Sequence, residues 1–154
     1  MTADVRAYWL LDALAIVRVS GDETGGRFCV VEFLQPPGDM TPLHVHRDES
    51  QTIHVLEGEL TVWTGPEKRV LGPGQSVHQA AGTPQTERAE TQVRLVDVNS
   101  PAGFDRFVAG AGRPAEALAL PPPAEEEPDF DRIAAAAAEH GIEVLGPPGA
   151  LPEG

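Results

Sequence analysis

The sequence predicts an all-β domain, followed by a linker and one short α-helix. From residue 14 to about residue 98, short runs of apolar and β-branched residues alternate with turns rich in glycine and proline. No apolar repeat of helical period interrupts these runs. Because short strands joined by such turns form antiparallel sandwiches or barrels, we expect one of these two architectures.

The predicted strands follow one another at short intervals along the chain. In order they read ALAIVRVS, RFCVVEFLQ, TPLHVH, QTIHVLEG, ELTVWTG, KRVLGPGQ, SVHQAAG and TQVRLVDVNS. The single cysteine, Cys29, lies within the second run, so an internal disulfide is excluded and a reducing cytosol is favoured. No secretory signal or membrane-spanning run is apparent, and we therefore expect a cytoplasmic protein.

The chain divides by composition into three segments. Residues 1–109 carry the strand pattern, residues 110–128 form a linker rich in proline and glutamate, and residues 129–154 contain the predicted helix and a tail. At 154 residues the chain is long enough for one domain with a substantial core.

The predicted helix has recognisable ends. Asp129 suits the N-cap position, and Gly141 suits the end of the helix. Phe130, Ile133 and Ala137 fall on one narrow apolar stripe. We expect this stripe to pack on the barrel or on a partner subunit.

The charge of the chain excludes two classes of partner. Its formal net charge is -13, with 24 acidic against 11 basic residues, and the basic residues form no patch. Phosphate backbones and anionic lipid surfaces are repelled by such a protein. We therefore predict neither nucleic-acid binding nor membrane binding.

Two spaced motifs lie in the strand region. In the first, Gly38 is followed after five residues by His44 and His46, and Gly58 closes the motif. The second motif extends from Gly74 through Gly82. Together these motifs resemble the two conserved motifs of the cupin superfamily.

The flanking pattern, including YWLL, DETGGRF and GIEVLGPP, is similar to small bacterial single-domain cupins of the quercetin-dioxygenase-like group. The resemblance implies a jelly-roll β-barrel of six to eight strands. It also implies one metal ion held by two histidines, a glutamate and a third histidine.

Two of the implied metal ligands are replaced in this chain. Gln51 stands where the family has its glutamate, and Gln85 stands where the family has its third histidine. An amide keeps the shape of the carboxylate but carries no charge to balance a dication. We therefore favour no cofactor, although His44, His46, Gln51 and Gln85 remain the candidate ligands for Fe, Ni, Mn or Zn, with Glu49 as a substitute.

The same pocket suits proton transfer without a metal. Burial favours neutral imidazoles, so His44 and His46 are candidate catalytic bases. Gln51 and Gln85 are candidates for orienting a carbonyl or stabilising an enolate. Four further candidates for substrate contact, by strand alternation or by position on the pocket wall, are Ile53, Val55, His78 and Trp63.

We predict a small-molecule enzyme of secondary metabolism, acting on a polyketide- or flavonoid-like substrate by metal-independent isomerisation or cyclisation. One alternative is a metal-dependent dioxygenase that resembles quercetinase. Another is a cupin that binds a small molecule without transforming it. We expect a homodimer in each case.

Overall fold

The computed structural model describes residues 5–152, which form two antiparallel β-sheets and two α-helices. The strands are β1 (Arg6–Leu10), β2 (Ala13–Val19), β3 (Cys29–Gln35), β4 (Pro42–His46), β5 (Ser50–Glu57), β6 (Leu60–Thr64), β7 (Glu67–Leu71), β8 (Ser76–Gln79), β9 (Gln85–Ala89), β10 (Val93–Ser100), β11 (Arg113–Pro114) and β12 (Ile142–Pro148). The helices are α1 (Phe104–Ala111) and α2 (Phe130–Glu139).

The strands divide between a seven-stranded and a five-stranded sheet. The first has the order β11-β1-β2-β3-β10-β5-β8, and the second has the order β12-β4-β9-β6-β7. Ile53 and Leu95 from the first sheet belong to the same buried cluster as Leu60 and Val62 from the second. The all-β prediction is therefore confirmed, with two sheets sharing one core as in a jelly roll.

Strand β10 shows how the sequence pattern places polar groups inside the barrel. Val93 and Leu95 are buried, and Asp97 and Asn99 continue the same face inward because successive side chains alternate across a strand. Since β10 lies between β3 and β5, its inward face is central to the seven-stranded sheet. One strand thus delivers both core side chains and buried polar side chains.

Gly58, which closes the first motif, lies in the turn between β5 and β6 with φ of +90°. A Cβ atom at this position would collide with the backbone carbonyl of Gln92. Glycine is required here for both its left-handed backbone and its lack of a side chain.

The region after β10 contains a helix that the sequence analysis did not predict. Phe104, Phe107, Val108 and Ala111 are the buried apolar side chains of α1, at helical spacing. The helix crosses the boundary drawn at residue 109. Its eight residues were too short to stand out next to the strand pattern, although the i, i+3, i+4, i+7 stripe is present.

The C-terminal segment packs against its own chain. Asp129 caps α2 by accepting a hydrogen bond from the Arg132 backbone N–H at 3.1 Å. Ala137 is buried, whereas Phe130 is 47% exposed, so only part of the predicted stripe is covered. Beyond α2 the chain forms β12, which pairs with β4 at the edge of the five-stranded sheet.

Within residues 5–152, no helix is both long enough and apolar enough to cross a membrane.

Candidate functional site

A cavity of about 120 Å³ lies inside the barrel and is covered by α2 and β12. Its wall is largely apolar and includes Phe33, Ile53, Phe104, Phe107, Ile133 and Ile142. Its polar lining comprises Gln35, Asp39, His44, Gln51, Gln79, Gln85, Glu87 and Asp97, together with Thr41 and Thr86. A concave, mainly apolar pocket with converging polar groups is the usual form of a small-molecule site.

A chain of hydrogen bonds joins His44, Gln85 and Gln51 along one side of the cavity. The Nδ1–H of His44 donates to the carbonyl of Pro42 at 2.8 Å, which leaves Nε2 as an acceptor. The amide nitrogen of Gln85 donates to His44 Nε2 at 3.3 Å and to Gln51 Oε1 at 2.9 Å. His44 and Gln85 are paired residues of β4 and β9, so the sheet register brings them together.

His44 is held as a neutral imidazole. Burial and then the charge of the neighbouring His46 lower its pKa to about 4, although the bond to Pro42 opposes the change. A neutral ring is an effective hydrogen-bond acceptor but a weak base.

His46 lies immediately beside His44 but is not one of the side chains that line the cavity. Its Nδ1–H donates to the carboxylate of Glu49 at 2.7 Å, and both side chains are buried. The ring is 5.1 Å from that of His44 and 5.6 Å from that of Phe104, between ring centres. Within the described part of the chain, His46 Nε2 is buried without a hydrogen-bond partner.

Three carboxyl groups line the same cavity and were not named from the sequence. Burial raises the pKa of Asp39 to about 6, with a further contribution from Asp12. Burial and then the charge of Asp39 raise the pKa of Glu87 to about 7. Burial and then Glu87 raise the pKa of Asp97 well above its usual range. The three carboxyls therefore bind their protons more tightly than ordinary surface acids do.

The sequence does contain a signal for two of these acids. Glu87 is two residues after Gln85 and therefore shares its face of β9. Asp97 follows Val93 and Leu95 on the inward face of β10. An acid at an inward position of a buried strand is uncommon and marks a candidate functional group.

The structure brings most of the predicted pocket residues together. His44, Gln51, Ile53 and Gln85 all line the cavity. Val55 is fully buried in the core but does not contact the cavity.

The structure does not place His78 or Trp63 in the cavity. His78 is exposed and bonds through Nδ1 to the hydroxyl of Thr52 at 2.9 Å, because the next residue of β8, Gln79, takes the inward position. The Trp63 ring lies instead beside the cationic groups of Lys68 and Arg88, 5.7 Å and 5.1 Å from the ring centre. The sequence could not show which face of β8 carries His78, because a shift of one residue in the strand register moves a side chain to the opposite face.

The candidate metal ligands form an incomplete set. His44, His46, Gln51 and Gln85 provide two imidazole nitrogens and two neutral amide oxygens. Glu49 does not replace the missing carboxylate, because it binds Nδ1 of His46 and lies on the side of the ring away from Nε2. Within residues 5–152, no group of three or more His, Cys, Asp or Glu side chains is arranged to hold a metal ion.

A catalytic transition-metal site usually has three strong protein ligands. Two imidazoles with no converging negative charge therefore do not fit a tightly bound dication.

Comparison with known proteins identifies a cupin domain in this chain. Residues 31–99 match the family Cupin_2, the cupin domain. Over 133 residues, 86% of this chain, the sequence is 34% identical to quercetin 2,3-dioxygenase of Bacillus subtilis (strain 168). The chain spans only 40% of that relative's length.

Solved structures agree on the fold. An RmlC-like cupin from Shewanella frigidimarina aligns with a TM-score of 0.58 at 21% identity, covering 69% of this chain and 92% of that one. Ectoine synthase from P. lautus aligns with a TM-score of 0.57 at 20% identity, covering 77% and 86%. Residues 31–99 of this chain therefore carry a cupin domain, and the chain has the cupin jelly-roll fold.

Proposed function

We propose that this protein is an enzyme that transfers a proton on a small organic molecule held in the cavity, as in an isomerisation or a cyclisation. One observation carries the proposal: a neutral imidazole, a pair of amides and several protonatable carboxyls line the same cavity. Such a combination supplies acceptors, donors and exchangeable protons to one bound molecule.

The amide pair suits a carbonyl or enol oxygen. The Gln85 N–H reaches His44 over a long 3.3 Å bond, so a ligand oxygen can take that donor at little cost. Among the described residues, Gln85 Oε1 has no partner and is available to accept from a hydroxyl. Gln51, bonded to Gln85 at 2.9 Å, holds the amide in place.

Glu87 is the group best suited to exchange the proton. Its pKa of about 7 lies close to physiological pH, where a general acid or base is most effective. His44 remains neutral and accepts a hydrogen bond from the substrate or from Gln85. His46 acts through its contact with His44, and Glu49 fixes its orientation, so both are positioning residues.

The size of the cavity restricts the substrate. About 120 Å³ is well below the roughly 300–1,000 Å³ of sites for drug-sized ligands. The space suits a single ring or a short chain, whereas a complete flavonoid would require α2 and β12 to move outward. The quercetin dioxygenase relative suggests a polyketide- or flavonoid-like substrate. Because the cavity is small, we propose a small member of that class or a fragment of one.

Proton exchange with solvent tests the proposal directly. A panel of small enolisable ketones and phenols is incubated with the protein in deuterated water, and loss of C–H signal is followed by NMR. We expect catalysed exchange that falls sharply in Glu87→Gln and in Gln85→Ala, but not in Glu67→Gln, which changes an exposed acid on β7. Binding without exchange would favour the non-catalytic cupin, and exchange unchanged in Glu87→Gln would contradict the assigned roles.

A metal-dependent dioxygenase is the second candidate function. It is favoured by the anchoring of both Nδ1 atoms, since such bonds commonly orient imidazoles whose Nε2 atoms bind metal. The relative named quercetin 2,3-dioxygenase supports the same reading. Oxygen consumption that chelators abolish and added Fe, Ni or Mn restores would replace the first proposal with this one.

A further inference from the structure

The cavity has an acidic end, which we define as Asp39, Glu87 and Asp97 with the neighbouring amide of Gln35. We infer that this acidic end binds a cationic nitrogen of the ligand, such as an alkylammonium or an amidinium. The inference rests on the proposed function for its location and deepens it by naming the substrate class.

The three acids come from different parts of the barrel. Asp97 belongs to β10 in the seven-stranded sheet, and Glu87 belongs to β9 in the five-stranded sheet. Asp39 lies in the loop before β4, where its backbone carbonyl accepts a hydrogen bond from the Ala89 N–H at 2.9 Å. Both sheets and a loop therefore each contribute a carboxyl to the lining of the cavity.

The acidic end contains buried oxygen atoms that have no hydrogen-bond partner among the described residues. Gln35 Oε1, Glu87 Oε2 and Asp97 Oδ1 are buried and have no hydrogen-bond partner within residues 5–152. Gln35 and Asp97 are each only 2% exposed. Since buried polar atoms are almost always hydrogen-bonded in native proteins, three unpaired acceptors point to a ligand that brings several N–H groups.

Within the described part of the chain, the three carboxyls have no cationic side chain beside them in the cavity lining. The described residues that line the cavity include three carboxyls and no lysine or arginine. Asp12 adds a fourth acid nearby and contributes to the raised pKa of Asp39. A cation beside the three carboxyls would stabilise their ionised forms and favour release of their protons, whereas a neutral or anionic ligand would not.

The rest of the cavity selects the form of the cation. Phe33, Phe104 and Phe107 provide an apolar wall, and the volume is about 120 Å³. A strongly hydrated inorganic ion would gain nothing from this wall. An organic cation with one small ring or a short chain satisfies both the acidic end and the apolar surface.

Binding of matched cationic and neutral probes tests the inference. Benzylamine, cyclohexylamine and benzamidine are compared with benzyl alcohol, cyclohexanol and benzamide by isothermal titration calorimetry on the full chain near neutral pH. We expect saturable binding of at least one cation with one site per chain. Its neutral counterpart should bind roughly tenfold or more weakly, as expected for loss of hydrogen bonds between charged groups.

Isosteric variants locate the site. Asp97→Asn and Glu87→Gln should each weaken binding of the cation roughly tenfold or more, whereas Glu67→Gln should leave it unchanged. Thermal unfolding verifies that each variant is folded, and Asp39→Asn replaces any variant that is not. The Glu67→Gln control separates the site from general attraction to a chain with net charge -13.

Several results would overturn the inference. They are no binding of any of the three cations, equal binding of a cation and its neutral counterpart, or equal weakening by Glu67→Gln. Stoichiometric displacement of the cation by Mn²⁺ would identify a metal site instead. Cation binding without proton exchange would leave this inference standing and remove the proposed function; exchange on neutral ketones without cation binding would do the reverse.

Discussion

Replacing Glu87 by glutamine should stabilise the protein, and more strongly at alkaline pH. Burial and then the charge of Asp39 raise the pKa of this carboxyl from 4.5 to about 7. Between these two values the native protein keeps a proton that the unfolded chain has lost, so the contribution of Glu87 to native stability falls as pH rises through this window. Above pH 7 the native state carries an ionised carboxyl in the cavity wall, and the loss is complete.

The magnitude follows from the two pKa values. At about 1.36 kcal/mol per pH unit, the difference between 4.5 and about 7 corresponds to about 3 kcal/mol at pH 8 and under about 1 kcal/mol at pH 5. Glutamine keeps the shape and removes the ionisation, so Glu87→Gln should recover most of this free energy. For a chain of this length, that corresponds to roughly 6–12 °C in Tm at pH 8.

Thermal and urea unfolding of the native protein, Glu87→Gln and Glu67→Gln at pH 5 and pH 8 measure the effect. Glu67 is an exposed acid on β7, so its replacement controls for the change in net charge. A Glu87→Gln variant no more stable than the native protein at pH 8 would refute the reasoning. So would a gain of equal size at the two pH values, because the effect must follow ionisation.

Four further outcomes are expected. Glu49→Ala should lower the free energy of unfolding by about 1–3 kcal/mol, because the buried Nδ1–H of His46 loses its acceptor. Glu49→Gln keeps an acceptor and should lower it less, and equal losses for the two variants in urea unfolding would contradict this. Asp129→Ala should cost about 1 kcal/mol through the lost cap on the Arg132 N–H, and an unchanged urea midpoint would argue against that contact. His44 should contribute a loss of stability as pH falls from 6.5 towards 4, since the unfolded chain protonates His44 while the native state, with a pKa of about 4, does not; this contribution is opposite in sign to that of Glu87. His44→Gln should therefore gain stability relative to the native protein as pH falls, and an identical pH dependence of the two proteins in thermal scans would exclude this role of His44. Metal analysis after dialysis should find no stoichiometric transition metal, and a retained equivalent would show that the two imidazoles suffice to hold one.

Much of the candidate site could be predicted from the sequence because motif spacing is local. The interval from Gly38 to Gly58 places His44 and His46 on one strand, and alternation makes them share a face. The place of Gln51 on the next strand follows from the same interval, and the structure shows it facing the cavity. These inferences depend only on the alternation of side chains between the two faces of a strand.

Pairing between distant strands could not be predicted in the same way. Glu87 and Asp97 meet because β9 and β10 lie in different sheets whose inner faces share one interior. Their raised pKa values arise from burial and from each other, and neither effect is visible in a linear chain. Likewise, a one-residue difference in register decides that Gln79 rather than His78 faces inward.

The sequence by itself determined the all-β architecture, the strand that presents two histidines to the interior, and the absence of charge in the amides at positions 51 and 85. These properties depend on side-chain chemistry and on the period of a strand, which any short segment carries. Only the tertiary structure decided that Glu49 accepts a hydrogen bond from Nδ1 of His46, that residues of α2 and β12 line the cavity, and that three acids also line it. Each of these depends on contacts between segments far apart in the chain, where desolvation and neighbouring charge act on groups that the sequence keeps separate.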